Sequence, residues 1–299
     1  MKLNYQLPPR AVKHWDEWIG EHHLGDIAVA AEDAGFDMVS MTDHPFPYEP
    51  WLKSGGHHAF DPFVALSFMA AATQRLRLCT LVVVSAYRHP YITAKAAASL
   101  DNLSRGRLVL GMGVGYQREE FDVVDASFDD RGKRFDAAVQ AMQAAWTGEV
   151  LDRDDPYYPA HGHVMLPRPA QRPGPPIWFG GNSAAARRRV VALGQGWMPF
   201  EQNAESAKIT GTPPLTSVDD LAEQIGALRE RARDAGRRDE LQVCFGAHGA
   251  GGIEAHAEAV AARVDGYEKA GVTHLLIDSQ ARSFEDCVRE IGLYSSLTG

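Results

Sequence analysis

Three short stretches of the chain carry groups suited to chemistry. The first is Met41-Thr42-Asp43-His44-Pro45, which closes an apolar run. An imidazole beside a carboxylate can exchange or stabilise a proton near neutral pH. A histidine so placed can equally end a strand by bonding a backbone carbonyl, and the residues alone leave both roles open. The second stretch is Leu110-Gly111-Met112-Gly113-Val114-Gly115-Tyr116. Its GxGxG run, with Gly113 and Gly115, would let backbone approach a flat ligand. A dinucleotide fingerprint needs a further glycine where Tyr116 stands, and three β-type units already precede the run, so a Rossmann reading is set aside. The third stretch, Gly180-Gly181-Asn182-Ser183, opens directly into the helix-like AAARRRVVALG. Two glycines and a polar cap at a helix start expose backbone N–H groups to an anion such as phosphate. An αL turn with an N-cap would account for the same residues without a ligand. Of Arg187, Arg188 and Arg189, at most one is expected to turn toward such an anion.

Other chemistries lack their patterns. The chain has 12 histidines but no HExxH and no HxH on the first strand, so no metal is expected. There is no GxSxG, and none of Cys79, Cys244 and Cys287 lies in an evident electropositive setting for a nucleophile. An odd number of cysteines without a CxxC pair points to reduced, buried thiols and a cytoplasmic protein.

These stretches must be positioned by a scaffold. In 299 residues, 45% hydrophobic and 23% charged, there is material for one large globular core. Lys plus Arg number 30 against 39 Asp plus Glu, a net charge of −9, so nucleic acid and anionic membrane are not expected partners. No segment has the ~18 consecutive apolar residues of a membrane helix, and the N-terminus has no apolar signal region. Strand-like runs fall at residues 2–7, 36–41, 76–84, 107–111, 176–180, 196–199, 241–245 and 273–278. They alternate with helix-like runs near 22–34, 61–74, 90–103, 131–147, 183–193, 217–236, 253–270 and 283–296. Eight β-then-α units predict a (β/α)8 TIM barrel, a single domain over 1–299. Active sites of such barrels lie at the C-terminal strand ends, where Asp43, His44, Gly113, Gly115 and Gly180 all fall. Two segments depart from the rhythm: Pro8–Glu21 with Trp15 and Trp18, and an excursion at about 148–175. Such loops serve as lids and substrate walls.

The stretches AEDAGFDMVSMTDH, LRLCTLVVVSAYRHPYITAKAAASLDNLSRGRLVLGMGVGYQREEF, the run from Arg131 to Trp146, and PIWFGGNSAAARRRVVALGQGWMP together resemble the bacterial-luciferase-like superfamily of flavin and deazaflavin oxidoreductases. The resemblance implies the same barrel, with FMN or coenzyme F420 bound at the strand ends. Thr42-Asp43-His44 matches the signature of the F420 branch. Asp43 thereby becomes a ring contact, His44 the catalytic candidate, and Gly180, Gly181, Asn182 and Ser183 the phosphate holders. The family often has a non-proline cis peptide behind the ring, and Leu81-Val82 matches that pair. Where the family's sugar-phosphate dehydrogenases carry a Trp, a Glu and a Lys, this chain has Tyr48, Tyr116 and the segment Pro199–Asn203. A flatter, more apolar substrate suits the aromatic mouth of Tyr48, Trp51, Tyr87 and Tyr116. Glu120 matches an acid frequent in the family, and a helix-start carboxylate accounts for it equally.

The expected function is therefore F420-dependent hydride transfer to or from a small organic substrate, in a homodimer. One alternative is an FMN-dependent two-component monooxygenase fed by a separate reductase. A non-catalytic flavin-binding protein and a metal-dependent barrel hydrolase rank behind it.

Overall fold

The computed structural model describes residues 1–9, 23–247 and 251–297. Its strands, in chain order, are β1 Lys2–Gln6, β2 Met38–Met41, β3 Arg77–Thr80, β4 Val83–Val84, β5 Leu108–Gly113, β6 Leu151–Arg153, β7 Ala160–His163, β8 Ile177–Gly180, β9 Gly196–Met198, β10 Gln242–Ala247 and β11 His274–Asp278. Nine of them form one sheet in the order β3-β2-β1-β11-β10-β9-β8-β5-β4, and β3 also pairs with β5. That last pairing closes the sheet, and the barrel pairings are all parallel. Leu81 and Val82 interrupt a single stave made of β3 and β4, so the closed barrel has the eight staves that the sequence rhythm predicts.

Period-two alternation explains why these segments are apolar throughout. One set of strand residues, including Met38, Cys79, Val109, Trp178, Met198, Cys244 and Leu276, packs together in the lumen. The other set, including Val39, Leu78, Leu110, Ile177 and Val243, joins the larger core against the surrounding helices. A strand covered on both faces has no polar side to show. Helix starts follow their caps. Asp61 accepts from the Phe63 and Val64 amides at 2.9 and 3.1 Å with Pro62 as the first helical residue, and Ser217 accepts from the Asp220 amide at 3.0 Å.

Three elements depart from the sequence reading. The expected helix near 253–270 is two helices, Ile253–Ala261 and Val264–Ala270. The 148–175 excursion contains the antiparallel hairpin β6–β7. Short helices at Glu49–Lys53, Arg118–Val123 and Ala204–Thr210 follow β2, β5 and β9 at the C-terminal end of the barrel. Each is two turns or less, too short to display a 3.6-residue apolar period, and it is these that bring Trp51, Glu120 and Thr210 to the site. Most of the Pro8–Glu21 loop, with Trp15 and Trp18, lies outside the described residues.

Candidate active site

A cavity of about 520 Å³ opens at the C-terminal strand ends, in the size range of small-molecule and cofactor sites. Of the predicted residues, Asp43, His44, Leu81, Val82, Gly113, Gly115, Tyr116, Gly180, Gly181 and Ser183 line it. Asn182, Tyr48, Trp51 and Tyr87 do not.

His44 lies at one end. Trp51 packs against its imidazole with centroids 4.6 Å apart and the rings tilted by 37°, and His57, another cavity-lining residue, meets it edge-on at 4.9 Å. Its acid partner is not its sequence neighbour. Nδ1 lies 3.0 Å from Glu120 Oε2, 76 residues away, and 3.2 Å from Gln117 Nε2. Glu120 is fully buried and also accepts from the Tyr87 hydroxyl at 3.2 Å. Burial and the Glu120 charge push the Tyr87 hydroxyl well above its ordinary pKa and the Tyr116 hydroxyl up to about 12, so both stay protonated donors. Tyr87 is thus a support beneath His44, while Tyr48 is 46% exposed on the outer surface. Of the four aromatic residues expected at the mouth, Tyr116 alone lines the cavity and Trp51 flanks it through His44.

Asp43 is placed beside the cavity with both oxygens engaged. Oδ1 accepts from Arg88 Nη2 at 2.9 Å and Oδ2 from the Val84 amide at 3.1 Å. Arg88 also reaches Asp61 Oδ2 at 2.8 Å. Successive residues at a strand end point to opposite sides, which is why Asp43 clamps β4 and His44 turns elsewhere.

The Leu81–Val82 peptide bond is cis, as the resemblance implies, and Val82 projects into the cavity between β5 and β8. The glycines around it have a steric explanation. A Cβ on Gly113 would lie 2.5 Å from Val82 Cγ2, one on Gly180 3.2 Å from Val82 Cγ1, and one on Gly111 1.9 Å from the Thr80 carbonyl oxygen. The GxGxG run therefore makes room for the neighbouring strand. Gly113 and Gly115 also line the cavity, so this clearance is compatible with the expected approach of their backbone to a flat ligand.

The far end of the cavity is formed by the Gly180–Ser183 turn and the helix Ala184–Leu193. Gly181 has φ +104°, a conformation that side chains disfavour. Ser183 Oγ caps the helix by accepting from the Ala186 amide at 3.1 Å. Asn182 is spent on the scaffold: Nδ2 donates to the Phe200 and Pro213 carbonyls, and Oδ1 accepts from the Phe200 amide. Its backbone N–H donates to Thr212 Oγ1, so the groups of Asn182 expected to face a phosphate are engaged within the protein. Two guanidinium groups line this end, Arg131 and Arg189. Arg189 is the one residue of the Arg187–Arg189 run that does so, and it is held by Asp136 and the Gly132 carbonyl. Arg131 lies over the Phe128 ring at 3.7 Å and donates to the Phe128 and Gly115 carbonyls, with no ion-pair partner among the described residues. Burial and nearby Arg118 pull its pKa below that of a free arginine. Sequence reasoning missed Arg131 because a lone arginine at a helix start reads as solvated.

The three cysteines are free thiols and buried, and burial raises the pKa of Cys244, which lines the cavity, to about 12. Among the described residues no three His, Cys, Asp or Glu side chains gather as metal ligands, and no helix is long and apolar enough to cross a membrane.

A model of the luciferase-like monooxygenase family matches residues 17–267. The F420-dependent glucose-6-phosphate dehydrogenase of Nakamurella multipartita is 34% identical over 231 residues, which is 76% of this chain and 63% of that protein. The chain thus spans less than two thirds of that relative's length. Among solved structures, the monooxygenase RslO1 from Streptomyces bottropensis superposes with a TM-score of 0.75 at 23% identity, covering 99% of this chain and 98% of that one. An F420-dependent secondary alcohol dehydrogenase bound to an F420–acetone adduct gives a TM-score of 0.75 at 17% identity with the same coverage, 99% and 98%. At those identities the two structures establish the shared fold.

Proposed function

The chain belongs to the luciferase-like monooxygenase family, and on that footing we propose that it is an F420-dependent oxidoreductase acting on a small, uncharged organic substrate. The observation that carries this reading is that one cavity joins His44 to the Gly180–Ser183 turn across the Val82 ridge. The curated relative named above supports F420 over FMN.

The cavity fits such a group. Val82 offers a branched apolar ridge to back a planar ring. The Thr42 hydroxyl, beside His44, is buried without a hydrogen-bond partner among the described residues. The start of the Ala184–Leu193 helix and Arg131 supply backbone N–H groups and a cation for a phosphate. When bound, F420 supplies the hydride chemistry. The chain's own residues supply position and electrostatics: Asp43 and Arg88 hold β4 behind Val82, Trp51 and Glu120 fix the His44 ring, and His44 holds or moves a proton.

The substrate reading rests on charge. The cavity-lining cations among the described residues, Arg131 and Arg189, lie at the phosphate end, while Gln6, His57 and Asp278 line the His44 side.

Titration of the purified protein with F420 and, separately, with FMN, followed by ligand fluorescence, tests the proposal. Micromolar or tighter F420 binding with weak FMN binding is expected. Preference for FMN would overturn it in favour of a two-component monooxygenase with a partner reductase, and binding of neither would remove the cofactor reading of this cavity.

A further inference from the structure

His44 Nδ1 stands between two groups that make opposite demands. Glu120 Oε2, at 3.0 Å, can only accept, so it requires a proton on Nδ1. Gln117 Nε2, at 3.2 Å, can only donate, so it requires a bare Nδ1 and a proton on Nε2. The nitrogen that carries the proton decides whether the histidine shows the cavity an acceptor or a donor.

We infer that Glu120, held with Tyr87, is the positioning residue that keeps the His44 proton on Nδ1, so that Nε2 presents a lone pair to the cavity's occupant. Charge decides the competition. The Glu120 side chain has no solvent exposure, and among the described residues the His44 imidazole is the one basic side chain within ion-pair distance of it. Its other hydrogen bond comes from the Tyr87 hydroxyl to the same oxygen, and Oε1 has no partner. A buried carboxylate so sparsely solvated is penalised heavily if it loses the imidazole N–H, and a charge-assisted bond is about twice as strong as a neutral one. Gln117 loses less. A half-turn of its amide brings Oε1, which is buried without a partner, toward the same proton. A bare Nε2 facing the occupant accepts from an O–H or N–H at that point. The inference rests on the proposed function only in taking His44 as the group that meets the occupant.

The test reads the tautomer in the protein without cofactor. Nitrogen-15 spectra of histidine-labelled protein, recorded as a pH series, report the protonation of both ring nitrogens, and loss of signals in His44→Asn assigns them. Wild type should show Nδ1 protonated and Nε2 bare, and Gln117→Ala should show the same. Glu120→Leu should hand Nδ1 to the Gln117 amide and move the proton to Nε2. If the leucine variant does not fold, Glu120→Gln keeps the shape without the charge and should raise the Nε2–H form to a comparable population. The inference is overturned if wild type carries its proton on Nε2, if neither folded Glu120 variant moves it, or if Gln117→Ala does. Failure of the F420 reading is registered separately, in the cofactor titration of wild type.

Discussion

Gly113→Ala is the most direct probe of how the cavity wall is built. Gly113 is not among the positive-φ glycines, so alanine meets no backbone penalty there and any effect is steric. Its new Cβ would lie 2.5 Å from Val82 Cγ2, short of an ordinary carbon contact by roughly 1 Å. Val82 is β-branched and stiff about χ1, so relief requires the ridge to shift toward the cavity. Overpacking of this kind destabilises by about 1–3 kcal/mol. At about 2 °C per kcal/mol for a chain of this size, the thermal midpoint should fall by roughly 2–6 °C. Val82→Ala removes the methyl that is struck. In a double-mutant cycle the pair should therefore couple by about 1–3 kcal/mol, with Gly113→Ala close to harmless in the Val82→Ala background. The assay is thermal unfolding of the four proteins under one condition, with an F420 titration of each. Displacement of the ridge should weaken F420 binding by about tenfold in Gly113→Ala, equivalent to ~1.4 kcal/mol. Equal loss of stability with and without the Val82 side chain would refute the steric account of the GxGxG run.

Three further outcomes are expected. Arg131→Met should weaken F420 binding by about tenfold or more, since a hydrogen bond to a charged group contributes about 1.5–3 kcal/mol, and should flatten the salt dependence of binding; an unchanged titration would remove Arg131 from the anion end. His44→Asn should lower kcat far more than it lowers F420 affinity, and full turnover in that variant would exclude a proton role. At the opposite end of the barrel, burial acts against ionisation of Glu32, but hydrogen bonds from the Arg75, Leu76 and Gln74 amides outweigh it and hold the carboxyl below 4.5. Because the folded pKa is the lower one, this contribution is full above about 4.5 and is lost as pH falls through the folded value. Thermal melts of Glu32→Gln against wild type should differ by a stability gap that closes below that window, and a constant gap would contradict the ionised-acceptor account.

What the residues themselves determined was the repeating part of the molecule. Strands covered on both faces read as continuous apolar runs, and flanking helices read as 3.6-residue stripes, so the eight staves and their C-terminal ends could be located from local pattern alone. Because the barrel gathers those ends on one side, Asp43, His44, Gly113 and Gly180 could be assigned to one site without coordinates. The N-caps at Asp61, Ser183 and Ser217 are likewise local, since a cap and its amide lie within three residues.

Which side chains meet within that site is not a local property, and the tertiary structure alone decided it. Asp43 looks like the partner of His44 because it is adjacent, yet the strand-end geometry sends it to Arg88 and the Val84 amide. The partner is Glu120, on a helix too short to show a period and placed by closure of the barrel. Glycines at 111 and 113 look like ligand clearance, and only the packing of β3 and β4 beside β5 reveals that they clear Thr80 and Val82. Asn182 carries the residue type of an anion site, but its amide is consumed by Phe200 and Pro213, whose approach depends on strand order. Sequence pattern encodes burial and period, which are properties of one segment. Hydrogen-bond pairing and steric clearance belong to two segments brought together, so they exist only once the barrel has closed.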